Sequence, residues 1–322
     1  MTNSSSTVDV FYSSDEKFVP ILSVALTSLV LNTTPKRNYS IHILGRGITP
    51  QSAHKLESIV STYPNISMEI LDMDQTILET LQKDDNKLYA EVEAIEMYFR
   101  LFISQLFPHI DRGIYVDADT IFESDVADLY DIDLEGNLVG AVGDPVVSDL
   151  DPDLRRYATA MVGISPEDYV NSGVLLMDLA AWNQYKVAEH FTQLLTQYHV
   201  SSIAPDQDYL NAMFEGRIKR LPFSWNVMMA AGVEPPEDIH FIHWNLVNKP
   251  WKLTSAPFSD RFWYYADQSP FAEQVHNSLN ESTRTPEDDR QRTAYMIGKA
   301  RDFSHNPVTF RSLKEKGVRV KL

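Results

Sequence analysis

Apolar and polar positions succeed one another with a change of period that is clearest near the start of the chain. Residues 8–12 (VDVFY), 39–44 (YSIHIL) and 66–71 (ISMEIL) read as short buried strands. The first two are followed by stretches with apolar residues at helical spacing, roughly 18–32 and 50–62. A β-α-β-α-β order predicts an α/β fold: a mixed, mostly parallel central sheet flanked by helices. Residues 91–107 repeat apolar positions at spacings of three and four, which predicts a helix. Residues 112–117, 138–142 and 173–177 read as further buried strands, and 187–199 and 205–214 as helices. No Gly-x-Gly-x-x-Gly follows any of these strands. Gly45-Arg46-Gly47 is the nearest approach, which disfavours a dinucleotide-binding domain.

The pattern changes after Trp251. Residues 254–289 are polar and acidic with scattered aromatics, and residues 290–322 carry nine basic side chains against Asp302 and Glu315. The expected organisation is a main domain over 1–255 and a partly helical extension over 256–322, basic at its end. Weak attraction of that end to an anionic membrane is one expectation, at about 1 kcal/mol per well-placed charge. A helix packed on the main domain is the other.

Charge narrows the range of partners. The chain has 322 residues, with 45 acidic against 28 basic and a formal net charge of −17. Nucleic acid is not an expected partner, because binding it takes basic surface. Handling phosphates would take a metal ion and a few placed Lys or Arg. Cysteine is absent, which leaves no thiolate or disulfide chemistry and fits a reducing compartment. The start, MTNSSSTVDV, lacks the basic opening of a secretion signal. The longest uncharged apolar stretch, Phe18 to Leu31, is shorter than the ~20 residues a membrane helix needs. The expected location is cytoplasmic, with the basic tail as a peripheral contact at the inner face of the membrane.

Candidate chemistry begins at "IYVDADT". Two aspartates, Asp117 and Asp119, follow an apolar run, and strand alternation predicts that their carboxylates point the same way. Like charges so placed call for a cation or for water between them. Six Asp-x-Asp triplets occur, at 72/74, 117/119, 131/133, 149/151, 151/153 and 206/208, so the triplet alone decides little. Ligands of open α/β sheets bind beyond the carboxyl ends of strands. Only 72/74 and 117/119 stand in that position.

Further on, "HFIHWNLVNKPW" offers His243 and Lys249. Imidazole with carboxylates suits a transition metal such as Mn²⁺, and lysine binds phosphate; a half-buried histidine and an exposed turn lysine are the plain alternative. Arg100, in the apolar "MYFRLFI", is either a buried ion-pair partner or a clamp on a ligand. Asn171 and Gly173 enter a strand, which turn chemistry alone would explain. Asp206 either caps a helix or, with Gln207, faces a polyol.

Taken in order, VFYSSD, YFRL, YVDADT, NSGVLLMDL with PDQDYLN, and HWNLVNKPW resemble retaining glycosyltransferase family 8, over roughly residues 7–251. This family includes bacterial lipooligosaccharide α-galactosyltransferases and glycogenin. The resemblance implies a GT-A type fold in which residues 1–255 bind a UDP-sugar and a metal. It implies Mn²⁺, with Mg²⁺ as the alternative ion, on Asp117, Asp119 and His243, and phosphates on Lys249. Ser13 and Asp15 match uridine-holding positions, Ala118 belongs to the donor-binding set, and Asp144 falls at the donor–acceptor boundary. Arg100, Asn171, Asp206 and Gln207 match positions around the donor sugar.

The implied reaction moves glucose or galactose from its UDP-sugar to a glycan, glycolipid or glycoprotein acceptor, forming an α-linkage by front-face substitution. Gln207 is then the candidate stabiliser of the oxocarbenium ion, Arg100 belongs to the catalytic set, and Asp206 is the nucleophile of a double-displacement alternative. One departure stands out: Leu246 occupies a position that is usually Gly in the family, where backbone approaches phosphate. Glu16 and Lys17 fall at positions that vary in the family and say nothing of the acceptor. Two other readings compete. A haloacid dehalogenase-like phosphatase has Asp-x-Asp-x-Thr, whereas Thr120 here follows Asp119 directly. A non-catalytic nucleotide-sugar-binding subunit is the second.

Overall fold

The computed structural model describes residues 7–81, 95–229 and 233–322. The expected strands appear as β1 (Val8–Asp15), β2 (Tyr39–Arg46), β3 (Ile66–Asp72), β4 (Arg112–Val116), β6 (Val139–Gly143) and β7 (Val170–Asp178). Four short ones join them: β5 (Thr120–Phe122), β8 (Ile218–Leu221), β9 (Val227–Met228) and β10 (Phe241–His243). The main sheet has the order β3-β2-β1-β4-β7-β6-β8, and a small sheet has the order β5-β10-β9. In the main sheet only β7 runs antiparallel to its neighbours, β4 and β6. The sheet is therefore mixed and mostly parallel, as the β-α-β periodicity predicts.

Side-chain alternation along β1 splits the core in two. Val8, Val10 and Tyr12 pack with Leu22, Ile41, Ile114 and Leu176 on one face. Phe11 packs with Tyr115, Leu175, Met177 and Phe191 on the other. Helix α1 (Val19–Leu31) carries no charge and is buried nearly all round, so its apolar residues form no single stripe. Helix α2 (Pro50–Val60) starts where Thr49 accepts the Ser52 N–H, with Pro50 in the first turn.

The stretch expected as a helix over 91–107 differs from that expectation. Residues 91–94 lie outside the described residues, Ile95–Phe102 is a 3-10 helix, and only Ile103–Leu106 is α-helical. Spacings of three fit both helix types, whereas spacings of four fit only the α-helix. Glu96 and every residue from Tyr98 to Phe102 are buried here.

The four C-terminal helices, Ser259–Ala266, Ala272–Asn280, Pro286–Phe303 and Phe310–Glu315, lie against the rest of the chain. Phe262 and Val275 pack with Ile21, Ile121 and Ile242, while Phe303, Phe310 and Val320 join the core around Phe11 and Phe191. Basic residues of the tail pair with carboxylates: Arg290 with Glu287, Arg301 with Asp153, Arg311 with Glu315, and Lys314 and Lys321 with Glu215. Among the described residues no helix is long and apolar enough to cross a membrane.

Candidate active site

The two aspartates of the "DAD" triplet are brought together by a turn, which corrects the strand-alternation argument. β4 stops at Val116. Asp117 N–H donates to Gly173 O over 2.8 Å, and Thr120 Oγ1 donates to Asp117 O over 2.8 Å. These bonds swing the chain through buried Ala118 into β5. β10 then pairs antiparallel with β5, setting His243 opposite Thr120. His243 Nε2 comes to 3.2 Å from Asp119 Oδ1 and 3.8 Å from Asp117 Oδ2.

One ligand atom from each of the three residues lies within 4.8 Å of the others. Gly173 supplies the room. A Cβ there would sit 2.3 Å from His243 Cε1 and 2.7 Å from Asp117 Oδ2. Two carboxylates and an imidazole, converging with space kept clear beside them, fit a divalent cation of the Mn²⁺ type.

Lys249 Nζ bonds the Asp119 carboxylate and the Trp244 carbonyl. Burial by itself would raise the Asp119 carboxyl, but the charge of Lys249, the largest of the opposing effects, helps hold that group well below the usual carboxylate range. The Lys249 loop is braced from the C-terminal helices, where Asp289 accepts the Asn248 N–H over 2.7 Å. Within this loop Leu246 has φ +51° and Asn248 φ +59°. The loop thus holds a left-handed backbone at the position expected to be Gly, and it does so with a leucine.

Arg100 is buried among carboxylates and carbonyls. Its guanidinium lies 2.8 Å from Asp117 and 3.2 Å from Asp206, and it bonds the Met97 and Ser172 carbonyls. Asp206 also accepts from Ser172 Oγ over 2.8 Å. Burial pushes its carboxyl up, with Arg100 opposing.

Next to it, Gln207 Nε2 donates to Asp144 Oδ2 over 3.0 Å, and Gln207 Oε1 accepts from Asn171 Nδ2 and the Ser172 N–H at 3.1 and 3.0 Å. Asn171 Nδ2 also reaches Asp144 at 3.2 Å. Ser13 connects through Tyr115, whose hydroxyl is 2.7 Å from Ser13 Oγ and donates to Asp117 over 2.9 Å. Asp15 stands apart from this network: it caps the turn before α1 and lies 3.8 Å from Arg46, which pairs with Glu96.

The rival triplet resolves as capping, since Asp74 accepts the Thr76 N–H at the start of the helix Gln75–Leu81. The structure adds Tyr115, Ser172, Gly173 and Asn226 to the site. Ser172 and Gly173 sit inside a motif already singled out. Asn226, in "SWNVMM", carries no sequence signal at all.

The family model for Glycosyl transferase family 8 matches residues 9–255. The chain belongs to this family. The lipopolysaccharide 1,2-glucosyltransferase of Escherichia coli strain K12 is 26% identical over 84% of this family 8 chain and 80% of its own length. The lipopolysaccharide 1,3-galactosyltransferase of Salmonella typhimurium strain LT2 is 24% identical over 82% and 79%. A putative glycosyltransferase of Haemophilus influenzae is 25% identical over 67% of the chain, which spans 62% of that relative.

Among solved structures, the galactosyltransferase LgtC in complex with donor and acceptor sugar analogs has a TM-score of 0.66 at 22% identity, covering 88% of this chain and all of its own. The WbbM bifunctional glycosyltransferase has a TM-score of 0.73 at 22% identity, covering 87% of this chain and 53% of its own. These likenesses show the GT-A fold.

Proposed function

We propose that this family 8 glycosyltransferase moves glucose or galactose from its UDP-sugar to a glycan, glycolipid or glycoprotein acceptor with retention of the α configuration. The convergence of Asp117, Asp119, His243 and Lys249 just beyond the carboxyl end of β4 carries the reading. The glucosyl- and galactosyltransferases among the relatives support the choice of hexose, and their lipopolysaccharide names support a glycolipid acceptor. Residues 1–255 form the catalytic part. The extension over 256–322 braces its loop through Asp289.

Asp117, Asp119 and His243 would hold Mn²⁺, with Mg²⁺ as the alternative. A divalent cation there offsets the negative charge that builds on the diphosphate oxygens. Lys249 adds a fixed positive charge on the same side, so no acid is needed for the leaving group. As the bond from the anomeric carbon to phosphate breaks, the acceptor oxygen forms its bond on the same face and its proton passes to the leaving phosphate. Gln207 and Asp144 supply dipole and charge near the developing oxocarbenium ion. Ser13, Asp15, Ala118 and Asn171 shape the rest of the donor site. Asp206 is tied to Arg100 and Ser172, which makes it a poor nucleophile and supports front-face substitution.

The test is transfer from UDP-glucose and UDP-galactose with and without EDTA. Metal-dependent transfer to an α-linked product is expected, and UDP-sugar hydrolysis without acceptor would separate an enzyme from a binding subunit. Full activity after EDTA treatment would remove the metal from the reading, and a β-linked product, read from the anomeric proton coupling, would remove retention. Gln207→Ala should slow transfer strongly while UDP affinity stays nearly unchanged. A glycosyl adduct on Asp206 in intact-protein mass spectra would replace the front-face route with double displacement.

A further inference from the structure

The side-chain amide of Asn226 is fully buried between His243 and Asn171. His243 Nδ1 lies 3.0 Å from Asn226 Oδ1, and Asn226 Nδ2 lies 2.9 Å from Asn171 Oδ1. An amide has a donor end and an acceptor end of similar shape, so distance alone does not say which way each one faces. Two backbone N–H groups remove that freedom.

Gly173 N–H donates to Asn171 Oδ1 over 2.9 Å. A backbone N–H only donates, so that atom is the carbonyl oxygen. The Asn226 atom facing it must then be the NH₂, and the far end of Asn226 is its carbonyl. A carbonyl only accepts, so His243 Nδ1 carries a proton. In the neutral ring Nε2 is left as a bare lone pair, turned toward Asp119 and Asp117. The other end of the chain agrees. Ser172 N–H donates to Gln207 Oε1 over 3.0 Å, which makes that atom oxygen and leaves Asn171 Nδ2 to donate to it.

We propose that Asn226 is a positioning residue that keeps the His243 proton on Nδ1 and so presents Nε2 as a ligand atom, its polarity dictated by the Ser172 and Gly173 backbone amides. The proposal rests on the metal-site reading of Asp117, Asp119 and His243. In it the ligand set is ordered before any ion arrives, because three acceptor groups face one point and no amide can rotate to satisfy them. The same relay joins the metal side of the site to the Asn171, Gln207 and Asp144 side without a titrating group between them.

The experiment uses the full chain, metal-free and labelled with ¹⁵N-histidine. Long-range ¹H–¹⁵N spectra report which ring nitrogen is protonated, and His243→Ala identifies the signal. Protonation on Nδ1 is expected, and protonation on Nε2 in the wild-type chain overturns the proposal even if no variant folds. Binding of Mn²⁺ alone, measured by calorimetry, gives the second arm. Asn226→Leu should weaken it by about 10–100-fold, the usual effect of losing a partner behind a ligand, and should shift the tautomer. Asn226→Asp still accepts from Nδ1–H and should keep the tautomer, while losing some affinity because its second oxygen meets Asn171 Oδ1. Wild-type affinity in Asn226→Leu, or loss of the Nδ1 tautomer in Asn226→Asp, overturns the proposal. A wild-type chain with its proton on Nδ1 that binds no Mn²⁺ sinks the metal reading and leaves the relay standing.

Discussion

The triplets Asp117-Ala118-Asp119 and Asp206-Gln207-Asp208 share one pattern and are joined through the Arg100 ion pairs, yet their last aspartates have opposite fates. Asp208 is fully buried and receives hydroxyl donors from Tyr157 and Tyr169, each at 2.6 Å, and from Ser202. Its acceptors are satisfied, and burial still pushes its carboxyl up to about 6. Asp119 keeps part of its surface open, shares its space with Asp117 and His243, and is held down by Lys249. The difference lies in the donors. Hydroxyl donors close the Asp208 carboxylate and favour its charged form, so burial alone is what pushes it up, whereas Asp119 faces other acceptors and leaves a place for a further cation. Asp-x-Asp is therefore informative only once its neighbours are counted.

The comparison breaks most easily at the metal. Asp117→Asn, Asp119→Asn and His243→Ala should each weaken Mn²⁺-dependent UDP binding by more than about 100-fold, since each removes a ligand outright and not merely its support. Gly173→Ala should do the same by placing a methyl group against His243 and Asp117. Asp208→Asn should leave UDP binding nearly unchanged. Calorimetric titration of UDP with and without Mn²⁺ checks all five, and equal losses at Asp119 and Asp208 would erase the distinction.

A pH experiment sharpens it. The folded chain holds the Asp208 proton more tightly than the unfolded chain does, with a folded value of about 6 against a usual value of 3.8. Between those values the folded state binds more protons, so the Asp208 contribution is greatest below about 4 and falls as pH rises through about 6. The full swing is at most about 3 kcal/mol. Urea denaturation across that range should show the decline in the wild-type chain and a flatter profile in Asp208→Asn. Parallel profiles would mean that Asp208 is ionised in both states.

Much of this was legible in the residues, and the reason differs by feature. β1, β2 and β3 showed because each is an apolar run long enough to display its period. β5, β9 and β10 have three, two and three residues, too few for any period, and they are the strands that deliver His243 and Asn226. Charged site residues stood out because a carboxylate, guanidinium or imidazole beside an apolar run needs an explanation. Asn226, Tyr115 and Ser172 are neutral and common, and they acquire a role only when the topology sets them beside a charged partner. Asp117 and Asp119 were legible from their place beyond a strand end, which holds, but strand alternation is not what aligns them, because the strand has already ended at Val116.

The smallest expected effect separates the two triplets by backbone. The helix carrying Asp208, Pro205–Met213, contains no residue with positive φ, whereas the loop that places Lys249 beside Asp119 carries Leu246 at φ +51° and Asn248 at φ +59°. An L-residue with a Cβ in the left-handed region costs about 1–2 kcal/mol, and asparagine tolerates it better than leucine. Glycine relieves that strain but loses roughly 1 kcal/mol of chain entropy on folding. Leu246 is 40% exposed, so only part of its side chain's burial is at stake. Leu246→Gly should therefore stabilise the chain slightly, by up to about 1 kcal/mol, while Leu246→Ala, which keeps the Cβ, should not. Denaturation midpoints of the two variants decide it. A stabilised alanine variant would mean that the leucine side chain, and not the backbone angle, is the source of the cost. A glycine variant less stable than wild type would mean that Leu246 makes contacts worth more than its strain.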